Sequence, residues 1–145
     1  MGKKRKEKAV LKGKPPREKY REELVDYIEE VVRNYVTMLP GVILMYRTVW
    51  EDKKENEKGG FLSTIYQPLD FSATFYIYDG VFDEIPEKGL TEGFKAFIKY
   101  CIAHEIGHCL IWELDGKFGT EERVATILGS LLMRLYDYEY ERGGG

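Results

Sequence analysis

Residues 91–112 read TEGFKAFIKYCIAHEIGHCLIW, and this run decides how the rest of the chain is interpreted. Thr91 is a residue type that caps helices. The apolar side chains after it recur at the three- and four-residue spacing of one helical face: Phe94, Phe97, Ile98 and Cys101. His104, Glu105 and His108 continue that stripe, and further apolar residues lie beside it. We therefore predict a helix that is buried around most of its circumference.

Two helices and three strands are predicted around this run. Residues 24–35 place apolar side chains at helical spacing before Pro40-Gly41, which ends the first helix. Three β-rich runs follow at 42–50, 61–66 and 72–78, each bounded by turn residues, and they predict an antiparallel meander. A last helix follows residues 116–120. The side chains that we expect it to bury are Val124, Ile127, Leu128, Leu131 and Leu135.

The predicted organisation is one α+β domain with an N-terminal helix, a three-stranded antiparallel sheet and two C-terminal helices. The length of 145 residues is typical of one domain that buries its own core. We assign residues 17–142 to this domain. Residues 1–16 are basic, lack periodicity and close with Pro15-Pro16, so they are predicted to form a flexible arm. Residues 143–145 are a glycine tail.

The net charge of -3 conceals an uneven distribution. Residues 1–21 contain ten Lys or Arg and two Glu, a net charge of +8, so residues 22–145 carry -11. A basic arm on an acidic domain can contact nucleic acid or an acidic partner, although such arms often serve only solubility. Nucleic-acid binding through the arm therefore stays open as an alternative.

Cysteine usage and hydropathy favour the cytoplasm. Cys101 and Cys109 fall on one predicted helix about 12 Å apart, which is too far for a disulfide. No apolar stretch has the length of a secretory leader or of a membrane span, so no membrane partner is expected. Free thiols are typical of a reducing compartment.

The sequence His104-Glu105-Ile106-Gly107-His108 matches the pattern His-Glu-x-x-His within the predicted helix. Histidines four residues apart lie one turn above the other, so both imidazoles can bind one metal ion with the glutamate beside them. Neutral imidazoles leave the charge of Zn²⁺ intact, and the ion can then lower the pKa of a bound water towards neutrality. Glu105 is the candidate general base that accepts a proton from this water.

An accidental match would place two histidines and a glutamate on a solvated face. The apolar flanks argue against it, because polar groups without partners are costly in a buried setting. These are also the only two histidines of the chain, so the third protein ligand of a catalytic zinc must be Asp, Glu or Cys.

Glu122, on the last predicted helix, is the preferred third ligand. Ala125 and Gly129 follow on the same helical face, and small residues let two helices approach closely. Glu121 is the alternative, and both glutamates also suit a first helical turn electrostatically. Asp115 stands one position too late for the pattern that continues with x-x-Gly-x-x-ligand. Cys101 could join the metal set, although a small apolar packing role is commoner for such a residue.

His-Glu-Ile-Gly-His followed by Glu122-x-x-Ala125 resembles the gluzincin metallopeptidases. Within them the chain is most similar to the small ImmA/IrrE-type peptidases, often associated with phages and mobile elements, whose pattern adds a Leu-Leu-Met run, here residues 131–133. Thr126 stands where that group has Asn or Asp. The resemblance implies a zincin-like fold and peptide hydrolysis. It also implies that the strand at 72–78 edges the cleft and pairs with an extended substrate.

The sequence thus predicts a zinc peptidase in which His104, His108 and Glu122 hold Zn²⁺ and Glu105 activates water against a peptide or protein substrate. One rival is a zinc hydrolase acting on another bond. A second rival is a non-catalytic, metal-stabilised binding module that uses the basic arm. A closed site with Cys101 as fourth ligand would favour the second rival.

Overall fold

A computed structural model describes residues 19–114 and 122–141, apart from the Leu114 side chain. The predicted basic arm at 1–16 and the glycine tail at 143–145 lie outside the described residues. So do Glu121, the alternative to Glu122 as an acidic ligand, and Asp115.

The described chain is α+β, as predicted. Helix α1 (Arg21–Met38) precedes strands β1 (Met45–Glu51), β2 (Leu62–Gln67) and β3 (Ser72–Tyr78). A short 3-10 helix (Asp79–Glu84) leads to the long helix α2 (Glu92–Leu114). Helix α3 (Glu122–Tyr136) runs into a π-helical turn (Asp137–Glu141). No helix among the described residues combines the length and apolar character needed to cross a bilayer.

The three strands form a mixed sheet, so the predicted antiparallel meander is wrong. The strand order is β1-β3-β2, in which β3 pairs parallel with β1 and antiparallel with β2. The connection between β1 and β2 is long enough for β2 to lie apart from β1, and β3 occupies the gap. Three side chains on the inner face of β3 are buried, namely Ala73, Phe75 and Ile77, which suits a central strand.

The prediction that β3 edges the cleft and pairs with substrate is wrong, because β3 is the central strand. Because β3 has a neighbour on each side, its backbone groups are used within the sheet. The edge strands are β1 and β2, and β2 packs against α2. A segment that extends the sheet beside the predicted site must therefore pair with β2 rather than β3.

The core lies between the inner face of the sheet and the helices. Helix α1 buries Leu24, Ile28, Val31, Val32 and Tyr35, the predicted face of that helix. Helix α2 contributes Ile98, Ile102 and Ile106, which are fully buried. The start of α2 is capped as predicted, because Thr91 Oγ1 accepts a hydrogen bond of 3.1 Å from the Phe94 backbone N–H. These buried side chains pack α2 into the core, where it lies against β2.

Helices α2 and α3 approach closely through glycine. A Cβ atom added to Gly107 would lie 2.8 Å from the Ala125 carbonyl oxygen. One added to Gly129 would lie 3.1 Å from the Cα atom of His104. The two backbones are therefore nearly in contact, as expected where small residues face each other.

This contact confirms that the small-residue face of α3 approaches α2, but the predicted burial of the larger α3 side chains is wrong. The helix buries Ala125, Gly129, Leu132 and Tyr136, whereas most of the side chains predicted to be buried are exposed: Val124, Ile127, Leu131 and Leu135. Leu128 is partly buried. The hydrophobic pattern favoured the larger side chains, but only the small-residue face can approach α2 this closely.

Lys99 on α2 is buried and forms ion pairs with the π-helical turn at the C-terminal end of α3. Its Nζ atom lies 2.9 Å from Asp137 Oδ1 and 2.7 Å from Glu141 Oε1. A buried ammonium without partners would be costly, and these two carboxylates compensate its charge. The π-helical turn is thereby anchored to the middle of α2.

We predict that Gly107→Ala destabilises the fold by about 1–3 kcal/mol, because the new methyl group meets backbone rather than a movable side chain. The matched control is Gly93→Ala on the same helix, where an added Cβ meets nothing within 4 Å. Alanine is the better helix former, so the control should stabilise by up to about 1 kcal/mol. Urea unfolding measures both. Equal effects of the two changes would contradict close packing at Gly107.

Candidate metal centre

Three side chains from two helices converge at one point: His104, His108 and Glu122. Glu122 Oε1 lies 2.8 Å from His104 Nε2 and 3.4 Å from His108 Nε2. Each of the three residues offers one ligand atom, and all three atoms lie within 4.8 Å of one another. The histidines are partly buried, whereas Glu122 is exposed.

The helical framework explains why these atoms meet. His104 and His108 are one turn apart on α2, so their side chains share a face. Glu122 is the first residue of α3, and the close contact at Gly107 and Gly129 brings its carboxylate to the histidines. The third ligand therefore depends on how the helices pack rather than on its position in the sequence.

The donor set fits zinc. Two imidazole nitrogens and one carboxylate oxygen form a ligand combination of catalytic zinc sites. Tetrahedral ligands about 2.1 Å from an ion lie roughly 3.4 Å from each other. Glu122 Oε1 lies 2.8 Å and 3.4 Å from the two imidazole nitrogens, so small side-chain movements would bring the three atoms to that spacing. Three protein ligands also leave a fourth position for water or substrate.

Thr126 orients the ring of His104. Its Oγ1 atom lies 3.3 Å from His104 Nδ1, on the opposite side of the ring from Glu122. A histidine that binds a metal through Nε2 carries its proton on Nδ1, and Thr126 can accept that proton in a hydrogen bond. Thr126 therefore offers at this position the kind of hydrogen bond that an Asn or Asp side chain could also make.

Glu105 lies beside the three converging side chains, and a hydrogen bond from the sheet positions its carboxylate. Thr64 on β2 donates a hydrogen bond of 2.7 Å to Glu105 Oε1. Burial raises the pKa of Glu105 to about 6, while the Thr64 hydrogen bond and the neighbouring His108 oppose this increase. A carboxylate that titrates near neutrality can accept and return a proton.

Both carboxylate oxygens of Glu122 have nitrogen atoms as neighbours. Oε1 faces the histidines, and Oε2 lies 3.3 Å from Lys58 Nζ in the loop between β1 and β2. Partial burial opposes ionisation of Glu122, but the His104 hydrogen bond, the charge of His108 and the Lys58 contact outweigh it and lower the pKa. Glu122 is thus ionised at neutral pH, as a metal ligand must be.

The group opens into a cleft of about 740 Å³ between α2, β2 and the loop that carries Lys58. Both histidines, Glu105 and Glu122 line it, together with Thr64 and Trp112. A cleft of this volume can accommodate several residues of an extended peptide. Lys58 lines the cleft as well, so the charged side chains of Lys58, Glu105 and Glu122 all face this space.

Cys101 does not belong to the converging group, although it lines the same cleft. Within the described parts of the chain, the ligand atoms that converge belong to His104, His108 and Glu122 alone. Burial raises the pKa of Cys101 to about 11, which favours the thiol over the thiolate that zinc binds. The two cysteines are both free, as predicted.

The structure brings together all four residues that the sequence singled out: His104, Glu105, His108 and Glu122. Sequence reasoning missed the roles of Thr64 and Lys58. Thr64 belonged to a predicted strand, but nothing in the sequence aligned that strand with Glu105. Lys58 is one of several charged residues in its loop, and no pattern distinguishes it.

No protein-family model, curated protein or solved structure matches this chain. The resemblance to gluzincins therefore depends on the motif residues themselves.

We predict that Thr126→Val weakens zinc binding about 10-fold, because the His104 ring loses its hydrogen-bond acceptor while the side-chain volume is kept. Thr126→Ser retains the hydroxyl group and should bind zinc like the parent. Competition with a chromophoric chelator measures both affinities. A serine variant as weak as the valine variant would show that the methyl group, not the hydroxyl group, matters.

Proposed function

We propose that this protein is a zinc-dependent peptidase of the gluzincin type. The observation that carries the proposal is the convergence of His104, His108 and Glu122 in a cleft that Glu105 also lines. A metal group of three protein ligands with an adjacent general base matches the requirements of metal-assisted hydrolysis. A closed structural site would need a fourth protein ligand, and Cys101 is not among the converging side chains.

His104, His108 and Glu122 would hold the zinc ion. The ion supplies Lewis-acid activation of water and of the substrate carbonyl group. Thr126 orients the ring of His104 through a hydrogen bond at Nδ1. Lys58 neutralises part of the charge on Glu122. These contacts keep the ligands oriented before a substrate arrives, which reduces reorganisation during the reaction.

Glu105 acts as the general base. It accepts a proton from the attacking water, whose oxygen bonds to the peptide carbonyl carbon. The same proton then passes to the leaving amine as the C–N bond breaks. Thr64 holds the carboxylate in place throughout, and the positive charge of a bound zinc ion would favour the ionised form of Glu105.

The edge of β2 is the proposed binding surface for an extended peptide. Asn56 Nδ2 donates to the Leu62 carbonyl oxygen at 2.9 Å, whereas the Tyr78 backbone N–H donates to the Phe61 carbonyl oxygen. Backbone groups alternate in direction along an antiparallel strand, so those of Thr64, like those of Leu62, face away from β3. A substrate strand paired with Thr64 would lie next to Glu105.

We place this reaction in a reducing compartment such as the cytoplasm. Cys101 and Cys109 are free thiols, and burial of Cys109 suits a packing role.

We predict about one zinc ion per chain in the parent and its loss in His108→Ala and Glu122→Ala, because either change leaves two protein ligands. Glu92→Ala is the matched control for Glu122→Ala. Glu92 is likewise an exposed acidic residue at the start of a helix, but it lies outside the metal group. Elemental analysis of purified protein gives the stoichiometry. A folded parent that takes up no added zinc would contradict the proposed metal site.

We predict that Glu105→Gln retains zinc but loses hydrolysis by at least about 100-fold, because glutamine has the same shape and cannot accept the proton. Cleavage of a defined peptide mixture, followed by mass spectrometry, measures the rate. Chelation of the metal should abolish the parent activity, and added zinc should restore it. Undiminished cleavage by the glutamine variant would exclude Glu105 as the base and point to a contaminating protease.

A further inference from the structure

The connection between β1 and β2 crosses one end of the cleft and touches both of its sides. On the sheet side, Asn56 Nδ2 donates a hydrogen bond of 2.9 Å to the Leu62 carbonyl oxygen of β2. On the helix side, Lys58 Nζ lies 3.3 Å from Glu122 Oε2 at the start of α3. Residues 55–58 line the cleft between these two contacts. The connection therefore closes the cleft at the N-terminal end of β2.

The turn at 56–60 that makes this closure is held by its own hydrogen bonds. Asn56 Oδ1 accepts hydrogen bonds from the backbone N–H groups of Lys58, at 2.8 Å, and Gly60, at 2.9 Å. The Asn56 backbone N–H donates to the Gly60 carbonyl oxygen at 2.9 Å, and Gly59 adopts a φ of 87°, which glycine tolerates best. The closed end is therefore built into the backbone and does not depend on the Lys58 side chain alone.

The turn at 56–60 also limits how far a substrate can pair with β2. The Leu62 carbonyl oxygen faces away from β3 and already accepts the Asn56 hydrogen bond, so the turn occupies this pairing position. Thr64 is the next residue whose backbone groups face the same way, and its side chain contacts Glu105. Two strand residues span about 6.8 Å. A substrate whose reacting carbonyl group lies beside Glu105 therefore continues for about one or two residues before it meets the turn.

An antiparallel substrate strand brings its C-terminus to the closed end, because β2 begins there and the two chains run in opposite directions. Antiparallel pairing is the more common arrangement and the slightly more stable one. Lys58 supplies the matching charge, since its ammonium group has three donor hydrogens and Glu122 accepts one of them. Glu55 and Glu57 also line this end, so a parallel strand would instead present an amino terminus to these carboxylates. The two directions thus place opposite ends of the substrate at the turn.

We infer that this protein removes about one or two residues from the C-terminus of a peptide, with Lys58 binding the terminal carboxylate. The inference rests on the proposed peptidase function and names its substrate class. The water oxygen bonds to the carbonyl carbon, the C–N bond breaks, and the amine of the released C-terminal fragment takes the proton from Glu105. Lys58 determines specificity and takes no part in the proton transfer.

Cleavage of one defined peptide in three forms tests the substrate class: with both termini free, with an acetylated N-terminus, and with an amidated C-terminus. The zinc-loaded full-length protein should shorten the first two forms from the C-terminus by about one or two residues, measured by mass spectrometry of the products. The amide lacks the terminal charge, so its kcat/KM should be at least about 10-fold lower.

Peptide affinity separates recognition of the carboxylate from the chemical step. In Glu105→Gln at saturating zinc, calorimetry should show that the free acid binds at least about 10-fold more tightly than the amide. Adding Lys58→Met should bring this ratio to about one, because the ammonium group is lost while the side-chain length is kept. Lys88→Met is the matched control, since Lys88 is an exposed lysine outside the cleft, and it should keep the ratio.

The outcomes separate this inference from the function on which it rests. Cleavage in the interior of the peptides, or removal of residues from the N-terminus, overturns the C-terminal assignment and leaves the peptidase function standing. An acid-to-amide ratio that Lys58→Met leaves unchanged also overturns it, because Lys58 would then act only through Glu122. Failure of the zinc-loaded parent to cleave any of the three forms contradicts the peptidase function itself, and this inference with it.

Discussion

The structure depends on the near-contact of two helix backbones. Gly107 on α2 and Gly129 on α3 leave no room for a side chain at their crossing, where Ala125 and His104 supply the opposing atoms. A larger residue at either glycine would separate the helices. Because Glu122 lies on one helix and both histidines on the other, such a separation would move the carboxylate away from the imidazoles. Packing of the smallest side chains therefore sets the geometry of the candidate metal group.

The same contact explains two other features of the fold. Helix α3 turns its small residues towards α2, so its larger aliphatic side chains remain on the outside. The sheet completes the site from the opposite direction, because the central position of β3 leaves β2 at the edge next to α2. Thr64 can therefore reach Glu105. Helix packing brings the three candidate ligands together, and the sheet orients Glu105, the candidate base.

Much of the fold followed from local patterns. The apolar period of α1, the cap of α2 at Thr91 and the bounds of β3 are local features, and all three were predicted correctly. The strand order and the burial of the larger α3 side chains were predicted wrongly, whereas the approach of Ala125 and Gly129 to α2 was predicted correctly. Strand pairing depends on contacts between residues that are distant in sequence, and hydrophobic periodicity does not report which neighbour a helix approaches.

The sequence by itself determined which side chains could form the core of the candidate site. His104, Glu105 and His108 lie within about one turn of a single helix, so helical spacing alone places them together. Two small residues on one face of α3 were enough to nominate Glu122. Only the tertiary structure decided that its carboxylate reaches the histidines, and that Thr64, Lys58 and Thr126 surround them. The physical reason is distance along the chain. Contacts within one helix are fixed by backbone geometry, whereas contacts between elements are fixed by how those elements pack.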